Sequence, residues 1–136
     1  MHQVRKYPED REMSDLLGLT FSSVTQIEED GGDRIVFTST DGRHFGMYRF
    51  QDCCESVYIE SITGDLSDLV ESPLLRAEKS VSEDDPVDWK APEWREDCHL
   101  WTFYKFATRK GYVDIRWYGE SNGYYSVGVE LREFFD

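Results

Sequence analysis

Glycine-containing turns separate short runs of β-branched and aromatic residues along most of this chain, and this alternation constrains its fold more than any other feature. An Asp-Gly or Asn-Gly step supplies the positive φ that a tight hairpin turn needs. The runs between the turns therefore predict antiparallel strands joined by hairpins. The turn sequences are DGGD at 30–33, DGR at 41–43, RKG at 109–111 and ESNG at 120–123.

Two short stretches indicate helical turns between the strands. Ser14, followed by Asp15 and two leucines, indicates one capped turn that ends at Gly18. DLSDLVESP at 65–73 predicts a short helix with Asp65 near its start. We therefore predict an α+β fold, with one twisted antiparallel sheet of about six or seven strands and one or two short helices over a face. It forms a single domain over residues 14–136, after a flexible N-terminal segment at 1–13.

The run SVYIESI at 56–62 alternates as a strand does. Successive side chains of a strand point to opposite faces of the sheet. This alternation predicts Val57 and Ile59 on one face, with Tyr58, Glu60 and Ile62 on the other.

The net charge is strongly negative, with 28 acidic against 15 basic residues and a formal charge of -13. Because lysines and arginines drive phosphate binding, direct binding to nucleic acid is not expected. No apolar run approaches the roughly 20 residues that a membrane span needs, so no membrane contact is expected either. The N-terminus lacks the apolar core of a secretory signal, and together with three cysteines this predicts a reducing cytoplasm.

The stretch EDDPVDWKAPEWRED at 83–97 holds seven acidic and two basic residues, which predicts an exposed acidic loop. Trp89 and Trp94 are the residues able to hold this loop against the domain. Its carboxylates form the predicted surface for a basic protein partner, namely Glu83, Asp84, Asp85, Asp88, Glu93, Glu96 and Asp97.

Adjacent cysteines in QDCCE at 51–55 raise the question of zinc or thiol chemistry. Neighbouring side chains on a strand point apart, so Cys53 and Cys54, or Cys98 and His99, do not readily hold one ion. Acidic neighbours raise the pKa of a thiol, which disfavours a nucleophilic cysteine. No metal, cofactor or catalytic residue is predicted, and buried packing is the competing role for each cysteine.

Carboxylates at strand or helix ends are also candidates for acid–base work or for oxygen ligation of a metal. Asp52, Glu55 and Asp65 hold such positions, with a cap or a solvated charge as the competing role. The ESNG turn has aromatic residues on both sides, including Trp117 and Tyr125. These aromatics form either a packed face or a rim for stacking on a ligand.

Three blocks of the sequence resemble a family of small bacteriophage and mobile-element proteins that share a domain of unknown function. The blocks are QDCCESVYIESITGDLSDL at 51–69, WTFYKFAT at 101–108 and GYVDIRWYGESNGYYSVGV at 111–129. The resemblance implies a phage context and no particular reaction. It also implies two signatures, formed by Gln51, Asp52, Cys53, Cys54, Glu55, Gly64 and Asp65, and by Trp117, Gly119, Ser121, Asn122, Gly123, Tyr124 and Tyr125.

Two functions follow from these features. The first is a non-enzymatic phage accessory protein in the host cytoplasm, which binds a basic host protein and inhibits a nucleic-acid-handling or defence system. The second is a small-molecule-binding protein or small enzyme, with a pocket where 51–55 meets 119–125. Exposed aromatics and sheet edges are compatible with a homodimer. The candidate binding residues are Gln51, Asp52, Cys53, Cys54, Glu55, Asp65, Trp117, Glu120, Ser121, Asn122, Tyr124 and Tyr125.

Overall fold

Two antiparallel sheets packed face to face form the fold of the computed structural model, which describes residues 8–29, 32–49, 55–95, 98–121 and 128–135. The five-stranded sheet has the order β1-β9-β4-β3-β2 and the four-stranded sheet the order β5-β8-β7-β6. The strands are β1 Glu9–Asp10, β2 Phe21–Glu29, β3 Gly32–Ser39, β4 His44–Tyr48, β5 Glu55–Thr63, β6 Arg76–Ser82, β7 Cys98–Thr108, β8 Gly111–Ser121 and β9 Glu130–Phe134.

The hydrophobic core lies between the two sheets because each sheet turns one apolar face inward. Phe37 and Phe45 from the five-stranded sheet and Phe106 and Trp117 from the four-stranded sheet are all buried in one cluster. The rings of Phe37 and Phe106 lie 5.6 Å apart, centroid to centroid, and join the sheets directly. Two sheets that each have one apolar face can bury these faces against one another, so neither sheet needs a covering helix.

The predicted α+β fold is wrong. The helical elements in the described parts of the chain are two single-turn 3₁₀ helices, Met13–Leu16 and Leu66–Leu69, and the strands form two sheets rather than one. The second turn stays short because Val70 and Pro73 form β-bridges with Phe21 and Thr20. An isolated α-helix of so few residues is also unstable in water. None of the helices described is long and apolar enough to cross a membrane.

Most of the predicted strands are present, including the N-terminal meander of β2, β3 and β4 and the long C-terminal hairpin of β7 and β8. Residues 9–13, which the sequence assigns to the flexible segment, include β1 and the start of the first 3₁₀ helix. Strand β1 pairs with β9, opposite Glu133 and Arg132.

The chain passes from one sheet to the other twice, and the strands that flank these two connections end beside one another. The segment between β4 and β5 and the segment between β8 and β9 both pass from one sheet to the other. Their flanking strands are paired, with Tyr48 opposite Glu130 in one sheet and Glu55 opposite Ser121 in the other. The described ends of the two predicted signature segments are therefore neighbours.

Candidate functional site

The acidic segment at 83–95, here called the lid, folds back over the outer face of the four-stranded sheet. Trp101 and Tyr118 are paired across β7 and β8 on this outer face, and both are almost fully buried. The Trp89 ring covers them, with its centroid 4.9 Å from each of the two rings. Aromatic contacts at this distance add to the gain from burial, so Trp89 is the apolar anchor of the lid.

Asp85 provides the first polar attachment of the lid. Its Oδ1 atom accepts hydrogen bonds from Arg95 at 2.7 Å and from the Trp101 indole N–H at 3.0 Å. The bond from Arg95, and then that from Trp101, lower the pKa of the Asp85 carboxyl, so it stays ionised. One carboxylate thus joins the two ends of the lid to the sheet beneath.

Arg116 on β8 provides the second attachment. Its guanidinium donates to Glu60 at 2.7 Å and to Asp88 of the lid at 3.2 Å, and lies over the Trp101 ring at 5.3 Å. The hydrogen bond that Arg116 donates to Glu60 is the main cause that raises the already high pKa of Arg116. A planar guanidinium is well suited to serve two carboxylates and an aromatic face together.

The rings of Trp101 and Tyr118, here called the aromatic platform, have further polar contacts at their edge. His99 Nε2 donates to the Glu83 carbonyl oxygen at 2.7 Å, because a carbonyl oxygen can only accept. The Tyr118 hydroxyl donates to Glu120 Oε2 at 2.9 Å, and burial raises the pKa of this phenol, so it stays neutral. The contact of His99 with Glu83 holds the start of the lid beside β7.

The lid nevertheless turns two large apolar side chains outward. Trp94 is 75% exposed, and Val87 is fully exposed. Two turns fix the backbone near them, closed by the Trp89 N–H to the Pro86 carbonyl at 3.1 Å and the Arg95 N–H to Pro92 at 3.2 Å. A loop held in place that exposes both large apolar side chains and carboxylates has features of a protein-binding surface.

The predicted partner carboxylates divide into two groups. Asp85 is half-buried and bonded within the lid, and Asp88 is paired with Arg116, although its side chain remains 68% exposed. Glu96 and Asp97 lie outside the described residues. Among the predicted partner carboxylates that the structure describes, Glu83, Asp84 and Glu93 remain exposed without an ion pair.

The predicted pocket between 51–55 and 119–125 is described only in part. Glu55 lies opposite Ser121, which in turn lies opposite Cys98 on β7. The Glu55 side chain is 1% exposed, and its two oxygens accept from Arg49 at 3.2 and 2.8 Å. Gln51, Asp52, Cys53, Cys54, Asn122, Tyr124 and Tyr125 lie outside the described residues.

The remaining candidate residues do not join this group. Asp65 lies beyond the opposite end of β5, and at the usual strand rise that end of the strand is roughly 26 Å from Glu55. The Asp65 carboxylate accepts the Ser67 N–H at 2.9 Å and caps the second 3₁₀ helix. That hydrogen bond lowers the Asp65 pKa. Trp117 is buried in the core, and its indole nitrogen has no hydrogen-bond partner among the described residues. Glu120 points to the outer face, where it meets Tyr118.

The potential metal ligands of the described chain are also dispersed. Cys98 and His99 occupy successive positions on β7 and therefore point to opposite faces, as the sequence predicts. His44 lies on the other sheet and contacts Thr38 at 3.3 Å. No group of three or more histidine, cysteine or acidic residues suited to a metal ion occurs among the described residues.

Sequence reasoning missed the arginines and the aromatic platform that fasten the lid. A signal for the platform is nevertheless present in HLWTFYKFAT and DIRWYG, where aromatic residues fall on both faces of each strand. A strand with apolar side chains on both faces is normally covered on both faces. The core covers one face of β7 and β8, and the lid covers the part of the other face around Trp101 and Tyr118.

The fold and this site define an all-β domain of two sheets with an anchored acidic lid. Residues 14–131 match the family described as a domain of unknown function, DUF7448, and the chain belongs to this family. No curated protein and no solved structure matches the chain.

Proposed function

We propose that this protein is a non-enzymatic binding protein that docks on a basic surface of another protein through its lid. The observation that carries this proposal is that the lid is fastened to the sheet while Trp94 and Val87 are exposed at its surface. Burying an exposed tryptophan is a common source of binding energy at protein interfaces. A lid that is already ordered loses little conformational entropy when it binds.

Charge supports a basic partner. Glu83, Asp84 and Glu93 are exposed in the same segment as Val87 and Trp94, and the chain as a whole carries a net charge of -13. Complementary charges at the rim of an interface speed association and disfavour acidic competitors. Asp85 and Asp88 are assigned a different role, because they hold the lid rather than meet the partner.

The finer form of the proposal is a phage-encoded protein in the host cytoplasm that inhibits a host nucleic-acid-handling or defence system. Enzymes that act on nucleic acids have basic surfaces, which an acidic lid can occupy. The resemblance of the three sequence blocks to phage proteins supports this context. In a phage context, a host protein is the expected partner.

A small-molecule site at the chain crossings is the second candidate. The observation in its favour is the pairing of Glu55 with Ser121, which brings the described ends of both signatures together. The Glu55 carboxylate is engaged by Arg49 and almost inaccessible, so a ligand would bind to other residues. We rank this candidate below the lid for that reason.

The experiment for the lid compares three immobilised proteins in a bacterial lysate. The first is the wild type, the second carries Val87→Ser and Trp94→Ser, and the third carries Leu75→Ser and Tyr112→Ser as a control. Leu75 and Tyr112 are each 65% exposed and lie outside the lid. A specific partner is retained by the wild type and the control and lost from the lid variant.

The captured protein is then purified and its affinity measured by interferometry. We expect the lid variant to bind it about 30-fold more weakly, the loss typical of one interface hot spot. Neutralising Glu83, Asp84 and Glu93 as amides is expected to lower mainly the association rate and its dependence on salt. Equal binding by the lid variant and the control variant would overturn the proposal.

A further inference from the structure

Trp94 and Glu93 form the exposed tip of a turn in the lid. The Arg95 N–H donates to the Pro92 carbonyl oxygen at 3.2 Å, so Glu93 and Trp94 are the two central residues of a β-turn. Both are exposed, and no cation or second ring lies over the Trp94 indole in the part of the chain that the structure describes. An open aromatic ring therefore stands next to an open carboxylate.

The two tryptophans that fasten the lid differ from Trp94, because each has an arginine over its ring. The guanidinium carbon of Arg116 lies 5.3 Å from the centroid of the Trp101 ring, and the same guanidinium donates to two carboxylates. The guanidinium carbon of Arg95 lies 5.8 Å from the Trp89 centroid, and Arg95 donates to Asp85 at 2.7 Å. Arg95 is thus engaged away from Trp94, although it follows Trp94 directly.

The same combination of ring, guanidinium and carboxylate occurs on the five-stranded sheet. Arg34 lies 4.0 Å from the centroid of the Tyr48 ring and pairs with Glu29 at 3.5 Å. Arg43 lies 5.0 Å from the centroid of the Phe45 ring and pairs with a buried carboxylate at 3.0 Å. A guanidinium can stack on a ring through its flat face while its edge donates to a carboxylate.

Lysine makes this combination less closely in the same protein. The Lys79 ammonium lies 6.0 Å from the centroid of the Tyr104 ring and 3.7 Å from Glu130. An ammonium is a compact and strongly hydrated charge, so it gains less from an aromatic face than a guanidinium does. A ring beside a carboxylate is therefore a better site for arginine than for lysine.

We propose that the lid binds an arginine side chain of its partner, whose guanidinium stacks on Trp94 and pairs with Glu93. This partner chemistry depends on the proposed function, since the arginine is presented to the same lid. Charge complementarity supports a cation here, because Glu83 and Asp84 are exposed in the same segment. The contact with the ring selects arginine among the cationic side chains.

Hexa-arginine and hexalysine peptides, which carry equal charge, test the proposal on the full chain. Fluorescence anisotropy of the labelled peptides in low-salt buffer measures both affinities. We expect the wild type to bind hexa-arginine about fivefold more tightly than hexalysine, because stacking on the indole adds to the charge attraction. Trp94→Leu keeps an apolar side chain without the ring and should reduce this preference to below about twofold. Tyr112→Leu removes a ring that is 65% exposed outside the lid and should leave the preference unchanged.

The role of Glu93 is tested against a carboxylate elsewhere. Glu93→Gln should weaken the binding of hexa-arginine about threefold, the loss of one exposed charge pair. Glu28→Gln removes an exposed charge outside the lid and should weaken it by less than about 1.5-fold.

Indole N–H signals locate the bound peptide in ¹⁵N-labelled protein. Hexa-arginine should shift the Trp94 signal, which is assigned by its loss from Trp94→Leu. The signal of Trp117, which is buried in the core, should stay in place.

Equal affinity of the wild type for the two peptides would mean that the lid selects charge alone, and would overturn the proposal. Equal preference in Trp94→Leu and Tyr112→Leu, equal losses in Glu93→Gln and Glu28→Gln, or an unshifted Trp94 signal would overturn it as well. The proposed function fails on a different result, namely equal capture of a lysate protein by the lid variant and its control. The two failures are therefore distinguishable.

Discussion

Arginine–carboxylate pairs hold two regions of this protein, but under different conditions of burial. At the edge of the five-stranded sheet, Glu133 is 4% exposed and accepts from Arg11 at 2.9 Å and from Arg43 at 3.0 Å. In the lid, the pairs of Asp85 with Arg95 and of Asp88 with Arg116 lie nearer to water, and the Asp88 side chain is 68% exposed.

Because of this difference, we expect the buried Glu133 cluster to contribute to stability and the exposed ion pairs to fix the position of the lid. A buried carboxylate between two guanidinium groups has no water to replace a lost partner, so each member is needed by the others. Exposed pairs contribute about 1 kcal/mol or less, because water competes for both charges. The lid is therefore held mainly by the burial of Trp89, and its ion pairs fix its orientation.

The largest effect is expected from Glu133→Gln. Removing the charge leaves Arg43 without its paired carboxylate and Arg11 with only the exposed Glu9, and it should lower the free energy of unfolding by about 3 kcal/mol. Urea denaturation followed by far-ultraviolet circular dichroism measures this loss. Glu130→Gln on the same strand is the matched control. The Glu130 side chain is 53% exposed, and its ion pair with Lys79 is long, at 3.7 Å. A similar loss in both variants would contradict the distinction between the two regions.

Lowering the pH should remove the stabilisation by the Glu133 carboxylate from the wild-type protein. Hydrogen bonding to Arg43, the larger cause, and to Arg11 lowers the pKa of Glu133. The stabilisation is therefore complete above the unfolded pKa of about 4.3 and is lost as the pH falls through the lower folded value. We expect Glu133→Gln to flatten this part of the stability profile measured by urea denaturation.

An intermediate effect is expected from Trp89→Ala. A fully buried tryptophan is worth about 3–5 kcal/mol, and Trp89 is half-buried, so the loss should be about 2 kcal/mol. The freed lid should also be cut by trypsin after Lys90 and Arg95 at least about tenfold faster than in the wild type.

Trp94→Ala is the control for this experiment, since Trp94 belongs to the same segment and is 75% exposed. We expect a change below about 0.5 kcal/mol and no faster cleavage. If the two tryptophan variants lose equal stability, Trp89 is not the anchor of the lid.

The hairpins could be predicted from the sequence because their determinants are local. DGR and RKG mark the turns between β3 and β4 and between β7 and β8, and alternation marks the strands on either side. A turn residue and its neighbours interact within a few positions of the chain. Such interactions are present in the sequence before any tertiary contact forms.

The division into two sheets could not be predicted in this way. Strand β9 pairs with β4 and β1, which lie far from it in the sequence, and no local pattern specifies these partners. The apolar spacing of Leu66 and Leu69 suits a 3₁₀ turn as well as an α-helix, so it predicted a longer helix than the chain forms. The α+β prediction failed on these two points.

A β-bulge explains the error at Ile62. The register shifts between Ile59 and Ser61, where the Ile59 N–H donates to Asp33 of the neighbouring sheet at 2.8 Å. One extra residue moves Ile62 opposite Ile115, so that it packs against the core instead of facing outward. Strict alternation cannot anticipate a bulge that depends on a contact with another sheet.

The candidate site was predictable in composition but not in arrangement. The sequence identifies an acidic segment with two tryptophans, and each has a lysine or arginine after it and an acidic residue before it. Only the packing of the lid on Trp101 and Tyr118 shows that Trp89 turns inward. The same packing assigns Asp85 to the lid attachment and leaves Glu83 for a partner.

The smallest effect is expected from Asp85→Asn, and it probes the attachment of the lid alone. The amide oxygen still accepts from the Trp101 indole, but the charge opposite Arg95 is lost. We expect the free energy of unfolding to fall by about 1 kcal/mol, the upper range for a partly exposed pair. Hydrogen exchange of the lid amides should accelerate without a change in the exchange of the core strands.

The pH dependence distinguishes a charge effect from a packing effect at this position. The pKa of Asp85 is lowered chiefly by the hydrogen bond from Arg95, so its contribution is present above about 3.9 and declines as the pH falls through the folded pKa. Lid protection in the wild type should decline with it, whereas that of Asp85→Asn should stay constant over the same interval. Parallel decline in both proteins would mean that Trp89 and the other contacts hold the lid without Asp85, and that its carboxylate is available to a partner.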